Sequence, residues 1–322
     1  MHIVVTGGGG FIGSHLCEAL LADGHLVTAV DNFLTGNRAN VEQLSGQARF
    51  RLVEHDIVRY IEPERLAWGG VGVDAIFHLA SPASPADFTR MPLEIAVINS
   101  QGTHNVLEWA RHFGAKYLLA STSEAYGDPL VHPQPEEYRG NVSTTGPRAC
   151  YDEGKRFAEA ITSVYVREFG LDGRIVRIFN TYGPRMNPND GRSVPNFITQ
   201  ALRGEPLTVY GDGRQTRSYC YVDDMVAGLI AVMFAPPDTR GMVFNVGNPD
   251  EREILEFARI IRELCGSNSE IAFCPALQDD PARRCPDITR ISSLLGWQPR
   301  VSLEEGLRRT IEWFRLVLGV PE

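Results

Sequence analysis

The first half of the chain repeats one pattern, in which a short apolar run is followed by a longer amphipathic run. The apolar runs have the length of buried parallel strands, whereas the runs between them have helical periodicity. A repeated strand–helix–strand order predicts a doubly wound parallel α/β sheet. The predicted strands span residues 3–6, 26–30, 75–79, 117–121 and 175–179, and the predicted helices include 12–23, 92–113 and 151–169.

The pattern changes after Asn180, where loop-rich sequence leads into irregularly alternating helices and strands. A helix at 225–234 and a strand at 243–246 are predicted to return to the first sheet, which leaves a cleft as the natural binding site. Further helices are predicted at 196–203, 254–265 and 303–318, with a strand at 207–210. We therefore predict a sheet domain of residues 1–179 with returning segments near 222–247, and a smaller interleaved C-terminal substrate domain of residues 180–221 and 248–322.

Composition excludes several classes of function. The 322 residues carry a formal net charge of -9, which argues against nonspecific nucleic-acid binding because that requires a basic face. No apolar run reaches the roughly 18 residues of a membrane span, and the start lacks the features of a signal peptide, so we expect a cytoplasmic protein. Six cysteines without a Cys-x-x-Cys pair and eight histidines without zinc-like spacing predict reduced thiols and no metal site.

A glycine-rich turn directly follows the first predicted strand and opens the first helix. Gly7, Gly10 and Gly13 have a G-x-x-G-x-x-G spacing, which lets the backbone approach a pyrophosphate at a helix N-terminus. Asp31 follows the second strand, where a carboxylate accepts hydrogen bonds from a ribose diol and repels a 2′-phosphate. The pattern therefore predicts a Rossmann-type site for NAD rather than NADP.

Tyr151 and Lys155 form a Tyr-x-x-x-Lys pair, and residues four apart lie on one face of a helix. A free phenol, with a pKa near 10, is a poor base at neutral pH, so a nearby cation is expected to favour the phenolate. Of the 31 basic residues, only Lys116 and Lys155 are lysines, which makes a chance pairing less expected. We therefore predict that Tyr151 acts as a general base assisted by Lys155.

The strand predicted at 117–121 ends in Thr122, Ser123 and Glu124. Active sites in this architecture form at the carboxyl ends of strands. Thr122 or Ser123 can hydrogen-bond a substrate hydroxyl beside Tyr151, and Glu124 adds a carboxylate to the reacting centre. A polar strand end that caps a helix is the alternative, and the nearby Tyr-x-x-x-Lys pair favours the catalytic interpretation.

The whole set of motifs resembles that of the UDP-glucuronate decarboxylases, or UDP-xylose synthases, which are extended short-chain dehydrogenases/reductases. The resemblance covers nearly the whole length and is far more specific than the glycine turn. It is carried by HLASPASP at 78–85, GPRACYDEGKR at 146–156, RIFNTYGPRM at 177–186, LTVYGDG at 207–213, QTRS at 215–218 and DDP at 279–281.

The resemblance implies an NAD-dependent enzyme that converts UDP-glucuronic acid through a 4-keto intermediate to UDP-xylose. It implies a homodimer with helices 92–113 and 151–169 packed across the two-fold axis. Catalytic roles are implied for Thr122, Ser123, Glu124, Tyr151, Lys155 and Arg284. NAD contacts are implied for Gly7, Gly10, Phe11, Ile12, Gly13, Asp31, Asn32, Asp56, Ile57, Leu79, Ala80, Asn99, Tyr151 and Lys155, and substrate contacts for Pro82, Ser84, Asn180, Arg185, Arg192, Tyr210, Arg217 and Arg284. Taken alone, Asp56 and Ile57 are equally consistent with surface positions, and a surface position is the alternative for Arg192.

Two stretches differ from the family pattern. Residues 138–140 read Tyr-Arg-Gly where the family usually has Tyr-Trp-Gly, and residues 143–146 read Ser-Thr-Thr-Gly where it usually has Asn-Pro-Ile-Gly. Both stretches lie just upstream of Tyr151, in a loop that we expect to cover the sugar. We therefore hypothesise looser retention of the intermediate and partial release of a UDP-4-keto-pentose.

Three other functions share parts of this pattern. A nucleotide-sugar 4-epimerase would carry the same Tyr/Lys pair but typically has a small residue in place of Glu124. A 4,6-dehydratase typically has Asp-Glu where this chain has Ser123 and Glu124. A catalytically silent NAD-sensing protein would keep the glycine turn alone. The Thr-Ser-Glu sequence and the intact Tyr151 and Lys155 favour a decarboxylase.

Overall fold

The computed structural model describes residues 1–276 and 281–321. The predicted doubly wound sheet is confirmed as seven parallel strands in the order β11-β6-β5-β4-β1-β2-β3. The strands are β1 (His2–Thr6), β2 (Leu26–Asp31), β3 (Phe50–Glu54), β4 (Ala75–His78), β5 (Lys116–Thr122), β6 (Gly173–Ile178) and β11 (Val243–Val246).

The order of the strands reverses between β1 and β4, because β2 and β3 extend the sheet on one side and β5, β6 and β11 extend it on the other. In such a sheet, ligands bind in the crevice outside the carboxyl ends of the strands at the reversal. Thr6 and His78 are paired at these ends, so the residues that follow them open onto the crevice.

The helices cover both faces of the sheet and build the second part of the chain. They are α1 (Phe11–Ala22), α2 (Ala39–Glu42), α3 (Pro85–Arg90), α4 (Pro92–Val97), α5 (Thr103–Phe113), α6 (Ala149–Phe169), α7 (Ser193–Arg203), α8 (Val222–Met233), α9 (Ile254–Leu264), α10 (Thr289–Leu295) and α11 (Leu303–Leu318). Single 3₁₀ turns lie at Pro63–Arg65, Ser123–Tyr126 and Pro237–Thr239.

The predicted helix at 92–113 is interrupted by a π-helical turn at Ile98–Gly102. Two side chains in this turn compete for backbone carbonyls: Asn99 donates to Ile95 O at 2.9 Å, and Ser100 donates to Ala96 O at 2.7 Å. Such side-chain hydrogen bonds widen a helix locally. The sequence periodicity alone did not reveal this interruption.

Three small sheets extend the second part of the chain. One has the order β12-β9-β14, and the other two pair β10 with β7 and β13 with β8. Their strands are β7 (Thr181–Tyr182), β8 (Leu207–Tyr210), β9 (Thr216–Ser218), β10 (Cys220–Tyr221), β12 (Glu251–Glu253), β13 (Ile271–Cys274) and β14 (Arg283–Arg284). The predicted strand at 207–210 and helix at 303–318 are confirmed with the same bounds.

A single hydrophobic cluster joins the central sheet to the second part of the chain. It includes Val5 on β1 and Phe314 on α11, which are both fully buried. Val243–Val246 returns to the sheet as predicted, whereas the division into two domains stays a prediction. None of the described helices combines the length and apolarity needed to cross a membrane. Asp279 and Asp280 lie outside the described residues.

Candidate active site

A cleft of about 1410 Å³ lies at the crevice of the central sheet. It exceeds the roughly 300–1,000 Å³ of a typical small-molecule pocket, so it has room for a dinucleotide and a second ligand. The predicted residues that line this cleft are Gly7, Gly10, Phe11, Ile12, Gly13, Leu79, Ser84, Thr122, Ser123, Glu124, Tyr151, Lys155, Asn180, Arg185, Arg192, Tyr210, Arg217 and Arg284.

A smaller pocket adjoins the cleft and shares Gly7, Gly10 and Leu79 with it. This pocket combines two acidic side chains with apolar ones, which suits a ribose and an adenine ring. The further predicted residues that line it are Asp31, Asn32, Asp56, Ile57, Ala80 and Pro82.

The backbone of the glycine turn approaches neighbouring backbone closely at Gly7 and at Gly13. Gly7 has a φ of +74°, and a Cβ there would lie 2.9 Å from Ala80 N. A Cβ on Gly13 would lie 2.1 Å from Gly7 O. These contacts leave no room for side chains between the turn and the N-terminus of α1. The turn therefore fits a pyrophosphate, which binds backbone N–H groups at a helix N-terminus.

The Asp31 carboxylate lies beside this turn and is nearly buried. Its Oδ2 accepts a hydrogen bond from Gly9 N and its Oδ1 accepts one from Phe33 N, both at 2.8 Å. Burial raises the pKa of Asp31, and the two backbone N–H groups oppose that shift. Each oxygen retains a lone pair for a further donor, so Asp31 fits the ribose diol of NAD.

Tyr151 and Lys155 project from α6 to the end of β5. The Tyr151 ring stacks on Phe88 with centroids 4.8 Å apart, and its hydroxyl forms a hydrogen bond with Thr122. Lys155 Nζ donates to Ala120 O at 2.9 Å and lies 5.9 Å from the centre of the Tyr151 ring. The structure therefore brings together the three groups expected to handle the substrate hydroxyl.

Burial dominates the ionisation of this pair. It raises the pKa of Tyr151 to about 12 and lowers the pKa of Lys155 to about 8. Desolvation of the phenolate therefore opposes the effect expected from the nearby Lys155 cation. A further positive charge beside the phenol, such as an oxidised nicotinamide, would favour the phenolate.

Glu124 lies between two guanidinium groups. Its Oε2 accepts a 2.5 Å hydrogen bond from Arg148 Nη2, and its Oε1 contacts Arg284 Nη1. Arg284 is itself held by a 2.8 Å hydrogen bond from Nη2 to Gly127 O. Burial alone would raise the pKa of Glu124, but Arg284 and Arg148 outweigh it and hold the pKa at about 2. Glu124 is therefore an ionised carboxylate throughout the physiological range.

The sequence analysis assigned no role to Arg148 or to Asp152. Arg148 lines the cleft, and its Nε lies 3.8 Å from Asp152 Oδ2. Burial, together with the charge of Glu124, raises the pKa of Asp152 to about 7. A helical spacing was available as a signal, since Arg148 and Asp152 are four residues apart and flank Tyr151.

The predicted arginines of the second part of the chain also reach the cleft. Arg185 has a φ of +70°, pairs with Glu18 on α1 at 2.7 Å, and has a buried Nη1 without a hydrogen-bond partner among the described residues. Arg192 donates to Asp190 Oδ2 at 2.7 Å. Arg217 donates to Thr216 O at 2.8 Å. Such guanidinium groups suit a diphosphate.

Two predicted residues lie elsewhere than in the cleft or pocket expected for them. Within the described residues, Asn99 lines neither pocket, because its amide is turned inward to Ser81 Oγ at 3.0 Å and to Ile95 O. Pro82, predicted to contact substrate, lines the smaller pocket instead.

The loop expected to cover the sugar lies outside the cleft lining. Residues 138–146 are all described and none of them lines the cleft. The Tyr138 ring stacks on Tyr126 at 6.0 Å, and Arg139 O accepts a hydrogen bond from Arg156. Asn141 N donates to Tyr126 O at 2.9 Å, so the loop packs against the segment that contains Gly127.

Known proteins match this chain over nearly its full length. UDP-glucuronic acid decarboxylase 1 of Xenopus tropicalis is 54% identical over 315 residues, which cover 97% of this chain and 72% of the relative. UDP-glucuronic acid decarboxylase 6 of Arabidopsis thaliana is 50% identical over 323 residues, which cover 100% of this chain and 91% of the relative.

Solved structures of related enzymes have the same fold. UDP-glucose 4-epimerase from Thermotoga maritima superposes with a TM-score of 0.90 at 33% identity, over 99% of this chain and 100% of the other. UDP-glucuronic acid 4-epimerase from Bacillus cereus, in complex with UDP-glucuronic acid and NAD, superposes with a TM-score of 0.89 at 30% identity. The match covers 98% of this chain and 100% of the other. Residues 3–247 match the model of one family, and the chain belongs to it: the NAD-dependent epimerase/dehydratase family.

Proposed function

We propose that this chain is an NAD-dependent UDP-glucuronic acid decarboxylase that produces UDP-xylose. The observation that carries the proposal is the ionised Glu124 carboxylate held between Arg148 and Arg284, next to the hydroxyl-handling group Tyr151. The relatives named UDP-glucuronic acid decarboxylase, with about half of their residues identical to this chain, support it.

The first step removes hydrogen from carbon 4 of the sugar. Tyr151 takes the proton of the 4-hydroxyl, and Thr122 holds the same oxygen through its hydroxyl. Lys155, fixed by Ala120 O, favours the phenolate and reaches the ribose side of the site. The glycine turn and Asp31 would hold NAD, which would supply the acceptor and later donor of the carbon 4 hydride, so the reaction would have no net redox change.

The second step breaks the bond between carbon 5 and the carboxylate. The new ketone is β to that carboxylate, so carbon dioxide leaves and the bonding electrons delocalise into the carbonyl as an enolate. The protonated Tyr151 can hydrogen-bond to the enolate oxygen and keep its proton, while a water beside Arg284 supplies the proton to carbon 5 and regains one from solvent. Return of the hydride to carbon 4 and of the Tyr151 proton to oxygen 4 completes UDP-xylose.

Charge favours this reaction over its alternatives. Arg148, Arg217 and Arg284 line the same cleft as Glu124, and these guanidinium groups suit the carboxylate of the substrate. A 4,6-dehydratase needs a carboxylic acid to protonate a leaving hydroxyl, and a carboxyl group with a pKa of about 2 cannot hold that proton. An NAD-sensing protein would have no use for the grouping of Thr122, Tyr151 and Lys155.

The assembly and location of the protein are further parts of the proposal. We infer a homodimer formed through the helical segments 92–113 and 151–169, where Leu93, Phe157 and Val164 are 72%, 47% and 39% exposed. Exposed apolar side chains on neighbouring helices are typical of a protein interface. We also propose a cytoplasmic location, which is consistent with six free cysteines.

The test is to incubate the NAD-loaded protein with UDP-glucuronic acid and to follow carbon dioxide and the sugar nucleotide together by NMR. The expected result is UDP-xylose with an equal amount of carbon dioxide. UDP-galacturonic acid without carbon dioxide would instead identify a 4-epimerase, and no reaction would contradict the proposal.

A further inference from the structure

A second group of reactive side chains lies on the small sheet β12-β9-β14, on the face opposite Arg217 and Arg284. Glu251 is paired with Ser218, and Arg284 is paired with Arg217. The next residue, Cys285, is therefore level with Ser218. Because side chains alternate along strands, Glu251 and Cys285 share one face, while Arg217 and Arg284 share the face that lines the cleft.

His132 lies over the same face. Its Nε2 is 2.9 Å from Glu251 Oε2, and one ligand atom each of His132, Glu251 and Cys285 lie within 4.8 Å of one another. Across residues 1–276 and 281–321, this is the one group of three such ligand atoms that is close enough to hold an ion. Sequence spacing did not predict it, since the three residues come from distant segments.

The backbone fixes the positions of these side chains. Gln134 N donates to Cys285 O, and Cys285 N donates to Gln134 Oε1, each at 2.9 Å, so the segment that carries His132 is bound to the end of β14. Glu251 Oε1 accepts the hydroxyl of Thr216, which leaves Oε2 directed at His132. A ligand carboxylate whose other oxygen is held in this way is typical of metal sites.

The chemistry of the three atoms selects the kind of ion. An imidazole nitrogen, a carboxylate oxygen and a thiolate sulfur are the donors that zinc prefers, with a water as the fourth ligand. Cys285 is 5% exposed, and burial raises the pKa of its thiol to about 11. Binding of a cation would therefore displace the thiol proton to solvent and leave a metal-bound thiolate.

We propose that His132 Nε2, Glu251 Oε2 and Cys285 Sγ form a binding site for a thiophilic divalent cation of the zinc class, and that loading this site lowers turnover. Zinc bonds of about 2.0–2.3 Å place neighbouring ligand atoms roughly 3.5 Å apart. The three atoms lie within 4.8 Å of one another, so loading requires these distances to adjust, and Cys285 adjusts with them. The shift passes along one peptide bond to Arg284, whose guanidinium holds Glu124 in the cleft.

Cobalt(II) titration of the NAD-loaded protein tests the site directly. A tetrahedral thiolate site is expected to give a near-ultraviolet charge-transfer band and intense visible bands, which Zn²⁺ then abolishes by displacement. Cys285→Ser should lose the charge-transfer band, and His132→Gln should weaken cobalt binding. Cys274→Ser is the matched control, because Cys274 is a partly exposed cysteine outside the group. Absence of the band in the parent protein, or its persistence in Cys285→Ser, would overturn the site.

The effect on turnover is measured separately with Zn²⁺ in thiol-free buffer. Inhibition of the parent protein should be reversed by a chelator, and Cys285→Ser should need about tenfold more Zn²⁺ for the same inhibition. Equal inhibition of the two proteins would overturn the link to Arg284. The cobalt bands do not depend on the substrate, so they remain a valid test even if UDP-glucuronic acid is not turned over. Thermal unfolding and NAD binding of each variant verify that it is folded.

Discussion

The Glu124 carboxylate lies 2.5 Å from Arg148 Nη2 while its other oxygen contacts Arg284. The two arginines therefore share one anion, and the geometry of each depends on the charge of Glu124. A second carboxylate, that of the substrate, would enter a site in which both cations are already oriented. The decarboxylation step should for this reason be more sensitive to Glu124 than the oxidation step.

Glu124→Gln removes the shared charge and nearly keeps the shape. We expect release of carbon dioxide to fall by about 10²-fold, because the arginines lose their orientation. Formation of NADH in a single turnover should fall much less, since Thr122, Tyr151 and Lys155 are intact. Rapid measurement of NADH absorbance and carbon dioxide separates the two steps. An equal fall in both would show that Glu124 does not act selectively on decarboxylation.

Tyr151→Phe removes the proton acceptor but keeps the ring on Phe88. We expect kcat to fall by about 10²–10⁴-fold, with NAD still bound. Lys155→Arg should also be impaired, because a larger planar group replaces a buried ammonium. Lys116→Arg is the matched control, since the other lysine of the chain pairs with Asp172 at the opposite end of β5. Near-normal turnover of Tyr151→Phe or of Lys155→Arg would refute the assigned roles.

Asp31→Ala should abolish the preference for NAD over NADP. The carboxylate no longer binds the ribose diol or repels a 2′-phosphate, so the ratio of the two dissociation constants should change by about tenfold or more. This substitution also leaves Gly9 N and Phe33 N without their acceptor, so Asp31→Asn is the milder second variant. Titration calorimetry with both cofactors measures the ratio. An unchanged ratio in both variants would mean that Asp31 does not select the cofactor.

Asp152→Asn should change the pH dependence of stability. Burial and Glu124 raise the pKa of Asp152 to about 7 in the folded chain, well above the value for an unfolded aspartate. Between about pH 4 and about pH 7 the unfolded state loses this proton first, so Asp152 lowers the free energy of unfolding as the pH rises.

The unfolding temperature of Asp152→Asn minus that of the parent protein should therefore be higher at about pH 8 than at about pH 5. Because one Asp152 oxygen is buried without a partner in the described structure, asparagine also brings a pH-independent cost, and only the difference between the two pH values is informative. Glu168→Gln, an exposed change on the same helix, should show no such difference. A pH-independent effect of Asp152→Asn would contradict the prediction.

Partial release of a UDP-4-keto-pentose stays a prediction, although its structural basis changes. The loop at 138–146 lies outside the cleft lining, but Asn141 packs against the segment whose Gly127 O holds Arg284. Restoring residues typical of similar decarboxylases, with Arg139→Trp and Asn-Pro-Ile at 143–145, should reduce the released ketone and the NADH that accompanies it. NMR of the products gives the ratio. Pure UDP-xylose without NADH from the parent protein would contradict the leak.

Local sequence was sufficient for the elements whose signals are local. The strand before Gly7, the helix that carries Tyr151 and Lys155, and the strand at 207–210 depend on periodicity and turn chemistry over short windows. The cluster of Glu124, Arg148 and Arg284 was only partly predictable. Its members are up to 160 residues apart, and nothing in a linear pattern shows that they share one carboxylate.

Two features that sequence patterns did not reveal have the same physical origin. The Asn99 amide is turned inward because it donates to Ile95 O in the π turn, a competition that periodicity does not encode. The raised pKa of Tyr151 reflects desolvation, which depends on how many distant segments cover the phenol. Both effects belong to tertiary packing rather than to the residues themselves.

The late return of Val243–Val246 to the central sheet limits how this chain can be divided or redesigned. Strand β6 bonds to β11 along its outer edge, so a fragment ending at residue 179 would expose the backbone and apolar side chains of Gly173–Ile178. Exposed edges of this kind recruit other strands and aggregate. Chimeras that exchange substrate specificity between relatives should therefore keep residues 222–247 from the parent of the central sheet, and replace only the segments on either side.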